Sequence, residues 1–398
     1  IGYVRFTENR NMQSFIDLLA AKKLDIDNLI THTFLLEDSP DAYDLILSKK
    51  EHVIGMLIKY DIDKKVERSV FIKDFVTNNN PLNVGLIGAG SFAQNAVLPR
   101  IKGKCKLIGV ATTKGNMSKY IADKYGFSYC AEGAEQILSD SSIGTVFVLT
   151  RHNSHAEYTI KALQAGKNVV VEKPLAMNFE ELEQVKEAYE KAGKELMLGF
   201  NRRFSPLTQK LMTIFTSNQK KAINIRVNAG IVPPDHWVHD PLVGGGRIIG
   251  EVCHFIDLAY FIAGSKARTI QAFTLSTSPA LNDSVSINIQ FQNGSIANIS
   301  YYSNGNKNVP KERIEVFSNG TVCLIDDFTK MEIFSNRGKK SVKLKGQDKG
   351  HPTQFKLITE SLSQDKVFPI AFDDIYHSSL LTLEAIRSIN ENRVIDIK

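Results

Sequence analysis

Cysteine is scarce in this chain. Its 398 residues include only Cys105, Cys130, Cys253 and Cys323, and no two of them form a Cys-x-x-Cys pair. Thiols this few and this widely spaced exclude a disulfide framework and favour a reducing compartment. Long apolar runs are also missing, since none approaches the roughly 18 residues of a membrane span. The N-terminus lacks the basic, apolar and small-residue sections of a signal peptide. We therefore expect a cytoplasmic protein with no membrane partner.

Neither sign of charge is in large excess. The 49 basic and 43 acidic residues give a net charge of +6, which suits an enzyme for anionic cofactors and does not indicate nucleic acid as a partner. The most basic stretch, 337–345, alternates lysine with apolar residues and predicts an exposed strand rather than a polyanion site. The length predicts two domains and an appendage. Because the chain begins at Ile1 rather than Met, we interpret it as cut from a longer polypeptide, with trimming as the alternative.

The most informative motif is a short apolar strand that leads directly into glycines. Residues 83–93 read Asn-Val-Gly-Leu-Ile-Gly-Ala-Gly-Ser-Phe-Ala, and a helix-compatible stretch follows. Gly88 permits the tight turn, Gly90 lets the backbone approach a pyrophosphate, and Ala93 allows the helix to pack closely on the strand. This order predicts a dinucleotide site with a helix N-terminus directed at the phosphates.

Short apolar strands alternate with helical periods after this motif. Such alternation is typical of a parallel sheet that is covered on both faces and binds ligands at the carboxyl ends of its strands. We therefore predict a Rossmann-type, doubly wound α/β domain in residues 81–200. Its strands are expected at 106–111, 144–150, 168–171 and 195–200, and its helices at 155–165 and 179–192.

The hydrophobic period changes to two beyond residue 201. Asn-Gly turns at 293–294 and 319–320 separate several of the alternating segments, as in β-hairpins. We therefore predict an α+β domain with a mostly antiparallel open sheet in residues 201–398. Its strands are expected at 284–291, 295–302, 312–317 and 321–325, and helices at 250–263 and 373–391 would cover one face of the sheet.

One of the predicted strands, 168–171, ends in Glu172-Lys173-Pro174. A lysine at the carboxyl end of a strand in a nucleotide domain is well placed to meet a nicotinamide and a substrate hydroxyl, and Pro174 fixes the backbone angle beside it. Such a lysine can polarise the hydroxyl or relay its proton. The alternative is a lysine that pairs with Glu172 at the strand end.

Residues 244–257 begin with three glycines and continue as a helical pattern. Glu251, His254 and Asp257 recur at i, i+3 and i+6, so that neighbouring side chains can touch. A carboxylate beside an imidazole holds its tautomer and raises its basicity, which suits a base that takes an alcohol proton. His254 and Glu251 are therefore catalytic candidates, and a structural histidine is the alternative.

Two further histidine pairs have a spacing of three residues, His152 with His155 and His236 with His239. Since no other ligand cluster accompanies them, we predict no metal site. Trp237 is the only tryptophan. It lies in a proline-rich loop, where it would offer an aromatic wall to a sugar ring or belong to the core.

Four motifs in this order resemble the family of glucose-fructose oxidoreductase, inositol dehydrogenase and rhizopine-catabolism proteins, called Gfo/Idh/MocA. They are the glycine motif, Thr-Arg-His-Asn-Ser-His-Ala at 150–156, Glu-Lys-Pro at 172–174 and the segment 244–257. The resemblance spans about residues 82–398. It implies a nucleotide domain followed by a domain that builds the substrate pocket and an oligomer interface, so that a homo-oligomer, a dimer or tetramer, is expected.

Residues 1–80 resemble a different family. With helices expected at 12–22 and 39–49 and strands at 29–34 and 53–60, they are similar to the C-terminal end of a medium-chain alcohol dehydrogenase, followed by a linker at 77–81. Any zinc ligands of such a domain would lie upstream. We therefore assign no chemistry to this segment.

The resemblance to the first family also implies site residues. It assigns catalysis to Lys173 and His254, with Glu251 as a substitute for an aspartate that the family commonly carries four residues before the histidine, where this chain has Gly250. Substrate contacts are expected from Arg202, Arg203, Trp237 and Arg247. The cofactor is expected at Gly88, Gly90, Ser91, Phe92, Ala93, Thr112, Thr113, Lys114, Thr150, Asn153, His155, Glu172 and Lys173.

The choice between NAD and NADP depends on the strand that follows the glycines. NAD enzymes carry an acidic residue about 20 positions after the glycines to hold the ribose hydroxyls. Here that strand ends in Val-Ala-Thr-Thr-Lys at 110–114. Hydroxyls and a lysine suit a 2′-phosphate better, so that NADP is favoured and NAD remains the alternative.

These features predict an NAD(P)-dependent oxidoreductase that moves a hydride between the cofactor and a hydroxyl-bearing carbon of a sugar, sugar nucleotide or cyclic polyol. Two alternatives share the fold. One is a glycoside hydrolase that oxidises its sugar transiently and shows no net cofactor turnover. The other is a non-catalytic regulator that binds nucleotide and sugar and would tolerate the loss of Lys173.

Overall fold

Contacts divide the chain into two units, Ile1–Glu67 and Arg68–Lys398. The computed structural model describes residues 7–62, 70–72, 80–216, 219–275 and 283–397. Most of the expected linker at 77–81 therefore lies outside the described residues. Each unit is described by itself.

The first unit has the predicted order of helix, strand, helix and strand, and its two strands pair in parallel. The first helix begins earlier than predicted because the Thr7 hydroxyl caps it, accepting a hydrogen bond from the Arg10 N–H at 3.3 Å. Among the described residues of this unit only Ala42 is fully buried, as expected for a segment without a core of its own. The elements are α1 (Glu8–Ala20), β1 (Ile30–Leu35), α2 (Ser39–Ser48) and β2 (Gly55–Lys59).

A seven-stranded sheet organises the first part of the second unit and confirms the Rossmann-type prediction. Its strands are β3 (Val70–Phe71), β4 (Asn80–Ile87), β5 (Lys106–Ala111), β6 (Tyr129–Ala131), β7 (Ile143–Val148), β8 (Asn168–Val171) and β9 (Leu196–Leu198). They lie in the order β3-β6-β5-β4-β7-β8-β9, and all neighbours are parallel except β3 and β6. The sequence did not predict the two short strands β3 and β6.

Helices cover this sheet, and its central strands are buried along their length. All six residues of β7 are buried, which is typical of a parallel strand with both faces covered. The helices between the strands are α3 (Leu98–Ile101), α4 (Gly115–Tyr125), α5 (Ala134–Ser139), α6 (His155–Gln164) and α7 (Phe179–Ala192).

The rest of the second unit is built on a nine-stranded sheet. After α8 (Pro206–Met212) its elements are β10 (Ala222–Asn228), α9 (Cys253–Ala263), β11 (Ala267–Thr274), β12 (Val285–Phe291), β13 (Ile296–Tyr302), β14 (Glu312–Ser318), β15 (Thr321–Asp326), β16 (Lys330–Ser335), β17 (Gly338–Lys343), α10 (His351–Gln364), α11 (Phe372–Glu391) and β18 (Ile395–Asp396). The order is β17-β16-β15-β14-β10-β13-β12-β11-β18, and β10 with β13 is the one parallel pair in this described sheet. The prediction of a mostly antiparallel sheet is confirmed.

The Asn-Gly turns and the basic strand also agree with the sequence. Gly294 and Gly320 have φ angles of +84° and +71°, the left-handed region that glycine adopts without strain. The basic stretch forms β17 at the edge of the sheet with its lysines exposed. Charged side chains on an edge strand oppose pairing with other chains.

The late helix α11 lies where the sequence predicts it, whereas α10 was not predicted. Helix α11 covers the second sheet, and its first residues also pack with the nucleotide domain. Phe355 and Ile358 of α10 and Phe372 of α11 belong to the core of the first sheet, whereas Leu381 and Ala385 belong to the core of the second. The chain therefore returns to the nucleotide domain after building the second sheet.

Two buried ion pairs lie where the two sheets meet. Arg203 donates to both oxygens of Asp257, with distances of 2.5 to 3.0 Å, and to Asp374 of α11 at 3.1 Å. The next pair joins Arg202 to Glu312 at 2.8 and 2.9 Å, and Lys349 donates to the same carboxylate at 2.7 Å. Removal of one partner would leave a buried charge without compensation.

The Asp257→Ala variant should lose about 3 to 5 kcal/mol of unfolding free energy, because it leaves the buried Arg203 guanidinium without its main partner. Urea unfolding followed by circular dichroism measures this loss. The control is Glu135→Ala, which removes an exposed pair with Lys161 and should cost under about 1 kcal/mol. Similar losses in both variants would contradict a dominant role for the buried pair.

Candidate active site

The glycine turn after β4 has the geometry of a phosphate cradle. Gly88 has a φ of +88°, and a β-carbon there would lie 2.6 Å from the Leu149 carbonyl oxygen, so that only glycine fits. A β-carbon on Gly90 would meet nothing within 4 Å and would project into open space. The first glycine is therefore required by the fold, whereas the second leaves room for a ligand.

The helix that follows the glycines begins with a widened turn. Ala93–Val97 is π-helical and precedes α3, which contains Pro99. A proline lacks an N–H for the helical hydrogen-bond ladder. Arg100 compensates, since its Nη1 donates to the carbonyls of Asn95 and Ala96 at 3.2 and 2.7 Å. Ser91 and Phe92 stay exposed at the opening of the turn.

The end of β5 presents hydroxyls and a lysine, as the sequence predicts. Thr112 is held by its own segment, because its hydroxyl donates to the Lys114 carbonyl at 2.8 Å and contacts the Ser118 hydroxyl at 2.9 Å. Thr113 and Lys114 are exposed just before α4 begins at Gly115. A phosphate at this position would meet hydroxyls, an ammonium group and a helix N-terminus.

Lys173 follows β8 and reaches across to the second sheet domain. Its Nζ donates to the carbonyl of Gly250 at 2.6 Å. Behind it, the buried His155 ring contacts the Pro174 carbonyl at 2.7 Å and the Thr150 carbonyl at 3.1 Å. These contacts fix the segment that carries Lys173. The contact of His155 with a cofactor stays a prediction.

Glu172 lies beside Lys173 in a confined space. A β-carbon on Gly199 would lie 2.5 Å from its Oε1. Burial raises the pKa of the Glu172 carboxyl to about 7, although the neighbouring Lys173 opposes this shift. The carboxyl group therefore titrates near neutral pH instead of staying ionised.

The glycine-rich segment does not begin as the regular helix that the sequence predicts. Ile248–Val252 forms a π-helical turn that leads into α9. Such turns remove carbonyls from the regular ladder and are frequent at functional sites. The carbonyl of Gly250, within this turn, is the one that binds Lys173.

His254, one of the predicted catalytic residues, is buried at the start of α9. Burial, together with the charges of Arg202 and Lys173, holds its pKa well below the ordinary value, so that the imidazole is neutral. Its Nδ1 is buried and has no hydrogen-bond partner among the described residues. A neutral imidazole accepts a hydrogen bond at its unprotonated nitrogen.

The predicted pairing of His254 with a carboxylate is not present in the structure. Asp257 is bound by Arg203 and Ser378, and Glu251 accepts from the Tyr301 hydroxyl at 2.7 Å and from Arg247 at 3.3 Å. Glu251 faces β13 because the π-turn and its cationic partners direct it there. Although burial would raise its pKa, Lys311 and Arg247 hold the pKa of Glu251 below the ordinary value. It is therefore an ionised anchor.

The predicted substrate arginines are largely occupied within the protein. Arg247 is 1% exposed and donates to the Gly230 carbonyl at 2.7 Å as well as to Glu251. Arg202 and Arg203 are buried in the ion pairs at the domain junction. Their guanidinium groups bind the carboxylates of Glu312 and Asp257. Buried arginines with acidic partners have few donors left for a ligand.

Trp237 and His152 form an aromatic corner that the sequence did not predict. Their ring centroids lie 4.8 Å apart at an interplanar angle of 72°, and Arg151 lies over the tryptophan at 5.5 Å. The N–H of Asn153 donates to the Val243 carbonyl at 3.2 Å, which attaches this loop to the glycine-rich segment. The sequence marked His152 only through its spacing of three residues from His155 and through the motif at 150–156, and neither signal indicates a contact with Trp237.

A cavity that does not include the two predicted catalytic residues is a separate feature. Its volume is about 720 Å³, and it is lined by residues that include Asn153, Met177, Gly245 and Ile249 but neither Lys173 nor His254. Across the described ranges, no group of three or more His, Cys, Asp or Glu has an arrangement that would hold a metal ion. In the same ranges no helix has the length and apolar character to cross a membrane.

The two sheet domains match two models of one protein family. Residues 82–200 match the oxidoreductase family with an NAD-binding Rossmann fold, and residues 220–321 match the GFO/IDH/MocA C-terminal domain. Together these matches cover more than half of the chain. The chain belongs to the GFO/IDH/MocA oxidoreductase family. The resemblance inferred from its motifs is therefore confirmed. Neither match includes residues 1–80, so that the alcohol-dehydrogenase resemblance of that segment stays a prediction.

Curated relatives of this GFO/IDH/MocA chain are dehydrogenases and oxidoreductases. An uncharacterized oxidoreductase of Bacillus subtilis is 26% identical over 77% of this chain and 87% of its own length. D-glucoside 3-dehydrogenase of Escherichia coli is 28% identical over 48% of this chain and 56% of its own length. Myo-inositol 2-dehydrogenase of Thermotoga maritima is 25% identical over 48% of this chain and 58% of its own length. The alignment with the latter two thus spans little more than half of their lengths.

A solved structure confirms the fold. Levoglucosan dehydrogenase in complex with NADH and levoglucosan superposes with a TM-score of 0.71 at 19% identity, over 79% of this chain and 99% of that one. At this identity the likeness applies to the architecture alone. This GFO/IDH/MocA chain is therefore an oxidoreductase with an NAD-binding Rossmann domain and a mostly antiparallel second domain.

The stability advantage of the wild type over Glu172→Gln should decrease as pH rises. Because the folded-state pKa of about 7 lies above the ordinary value of 4.5, the contribution of the carboxyl is fully present below pH 4.5 and is lost as pH rises through 7. The decrease should be at most about 3 kcal/mol, because a difference of one between the folded and unfolded pKa corresponds to about 1.4 kcal/mol. Urea unfolding at pH 5, 6, 7 and 8 measures it.

The control for this series is Glu190→Gln, which changes an exposed glutamate on α7. It should show the same pH dependence as the wild type. A Glu172→Gln curve parallel to that of the wild type would mean that the Glu172 carboxyl is ionised throughout this range.

Proposed function

We propose that this chain is an NAD(P)-dependent dehydrogenase that acts on a hydroxyl-bearing carbon of a sugar, sugar nucleotide or cyclic polyol. The observation that carries the proposal is the hydrogen bond from Lys173 Nζ to the Gly250 carbonyl at 2.6 Å. It brings the lysine at the strand end of the nucleotide domain to the turn that leads into α9, whose second residue is the buried, neutral His254. We infer that one substrate hydroxyl contacts both side chains.

The two side chains have different parts to play toward that hydroxyl. The neutral imidazole of His254 accepts the proton of the hydroxyl, and the ammonium group of Lys173 donates a hydrogen bond to the same oxygen and stabilises its developing negative charge. A bound nicotinamide would accept or supply the hydride. Burial raises the pKa of the neighbouring Glu172 carboxyl to about 7, so that only part of a negative charge stands beside the ammonium group at neutral pH.

Support for a polyhydroxylated substrate comes from the walls of the site. Trp237 offers half-exposed aromatic surface of the kind that stacks on a sugar ring. His152 and His254 are both neutral and supply acceptors for hydroxyl hydrogens. The relatives named for D-glucoside and myo-inositol act on compounds of this class.

For the cofactor we favour NADP. The positions that follow β5 offer Thr112, Thr113 and Lys114, with no carboxylate among them to repel a 2′-phosphate or to hold two ribose hydroxyls. The open space at Gly90 accommodates a pyrophosphate for either cofactor. A preference for NADP over NAD would therefore come from Lys114 and its neighbours.

Titration of nicotinamide fluorescence with the purified chain tests the cofactor proposal. NADPH should bind more tightly than NADH. Lys114→Ala should lower the affinity for NADPH about tenfold, since a charged hydrogen bond contributes about 1.5 kcal/mol or more. The affinity of this variant for NADH should stay within about twofold of the wild-type value. Gly90→Asp should abolish the binding of both. Lys119→Ala, on the next turn of α4, is the control and should change neither. Tighter binding of NADH by the wild type would contradict the preference, and binding by Gly90→Asp would contradict the cofactor site.

Turnover assays test the catalytic proposal. The chain should reduce NAD(P) with at least one of a panel of myo-inositol, D-glucose and methyl D-glucosides. Lys173→Ala and His254→Ala should each lower kcat by about 10² to 10⁴, because each removes a group that contacts the reacting hydroxyl, and His254→Ala should leave cofactor binding intact. Lys191→Ala and His52→Ala are exposed controls. Tight cofactor binding without turnover of any compound would favour the non-catalytic regulator.

A further inference from the structure

His152 is a buried histidine whose tautomer is fixed by the backbone. Its Nδ1 lies 2.7 Å from the Gly244 carbonyl oxygen. Because a carbonyl oxygen only accepts, Nδ1 carries the hydrogen and Nε2 keeps a free lone pair. Burial, together with the Lys173 charge, lowers the pKa of His152 to about 3, so that this tautomer stays neutral at physiological pH.

The His152 ring fills the space of a missing side chain. A β-carbon on Gly250 would lie 2.8 Å from Cε1 of His152 and 3.3 Å from Val238. The carbonyl of the same glycine accepts from Lys173 Nζ at 2.6 Å. The imidazole therefore lies against the backbone unit that anchors the catalytic lysine, in a place that a side chain at position 250 would otherwise occupy.

The contacts that fix His152 leave Nε2 unused. Trp237 holds the ring by its edge, and the Gly244 carbonyl holds Nδ1. No hydrogen bond to another described residue ends on Nε2. A fixed, neutral ring with one free acceptor next to Lys173 is suited to a ligand hydroxyl.

The reacting hydroxyl does not need this acceptor. A hydroxyl group has one hydrogen to donate, and that of the reacting carbon is taken by His254 in the proposed function. We propose that His152 Nε2 accepts a hydrogen bond from a second hydroxyl of the substrate, on the carbon next to the one oxidised. His152 is then a specificity-determining residue, and the substrate carries two neighbouring hydroxyls. This inference rests on the proposed function.

The experiment compares a polyol that the wild type oxidises with its analogue that lacks the neighbouring hydroxyl. The wild type should prefer the diol in kcat/KM by about 10² or more, because the analogue leaves a buried acceptor unpaired. His152→Phe keeps a ring of similar shape without the acceptor, and it should lower kcat/KM for the diol at least about tenfold, mainly through KM, and reduce the preference. His152→Gln offers an acceptor again and should recover part of the preference for the diol.

Position 250 supplies a second, independent variant. Gly250→Ala places a methyl group against Cε1 of His152 and should displace the ring, so that the preference for the diol falls as in His152→Phe. The double variant Gly250→Ala, His152→Phe should lose little more than either single variant, since both act on one contact. Gly133→Ala is the control, because a β-carbon there meets nothing within 4 Å.

The outcomes separate this inference from the proposed function. If wild-type turnover is present but His152→Phe keeps both KM and the preference for the diol, the role of His152 is wrong and the dehydrogenase proposal stands. If the wild type binds cofactor yet oxidises no compound of the panel, the proposed function is wrong, and the role of His152 falls with it. NADPH affinity should be equal in all variants, and a change in it would mean that His152 acts on the cofactor instead.

Discussion

The hydrogen bond from Lys173 to the Gly250 carbonyl is the contact on which the site depends. Neither sheet domain contains a complete site, because the lysine belongs to the strand end of one and the histidine to the first turn of a helix in the other. A regular α-helix would engage the Gly250 carbonyl in its own ladder. The π-turn changes that geometry and leaves the carbonyl directed at the lysine.

Electrostatics then determines what the site can offer a ligand. Lys173 and Arg202 place positive charge beside the buried imidazoles, and burial acts in the same direction, so that the histidines remain neutral. The carboxylates in the same region are bound elsewhere, to Arg203, Arg247 and Tyr301. The described residues of the site thus combine the Lys173 ammonium group with neutral imidazole acceptors. This combination of donors and acceptors supports the proposed recognition of hydroxyl groups.

Much of this could be predicted from the sequence. The parallel sheet, the antiparallel sheet and the helix Phe179–Ala192 follow from hydrophobic periods and turn residues that agree with the tertiary structure. The glycine motif and Lys173 were found because their chemistry depends on neighbours in the chain. Local patterns carry this information directly.

The rest depends on contacts between distant segments. The direction of the Glu251 side chain is set by Tyr301 and Lys311, which lie 50 or more residues away in the sequence. The position of His152 is set by Gly244 and by the absence of a side chain at Gly250. No period or spacing records such contacts. The π-turns are missed for the same reason, since a helical pattern is compatible with either turn.

The return of α10 to the first sheet affects the order in which the molecule can form. Phe355 and Ile358 belong to a core most of whose other members precede residue 205 in the chain. During synthesis the nucleotide domain must therefore wait, with part of its apolar surface uncovered, until almost the whole chain has left the ribosome. A fragment that ends after β9 would carry the same exposed surface permanently. The two sheet domains are thus adjacent in sequence, yet the core of the nucleotide domain is completed by segments that follow the second sheet.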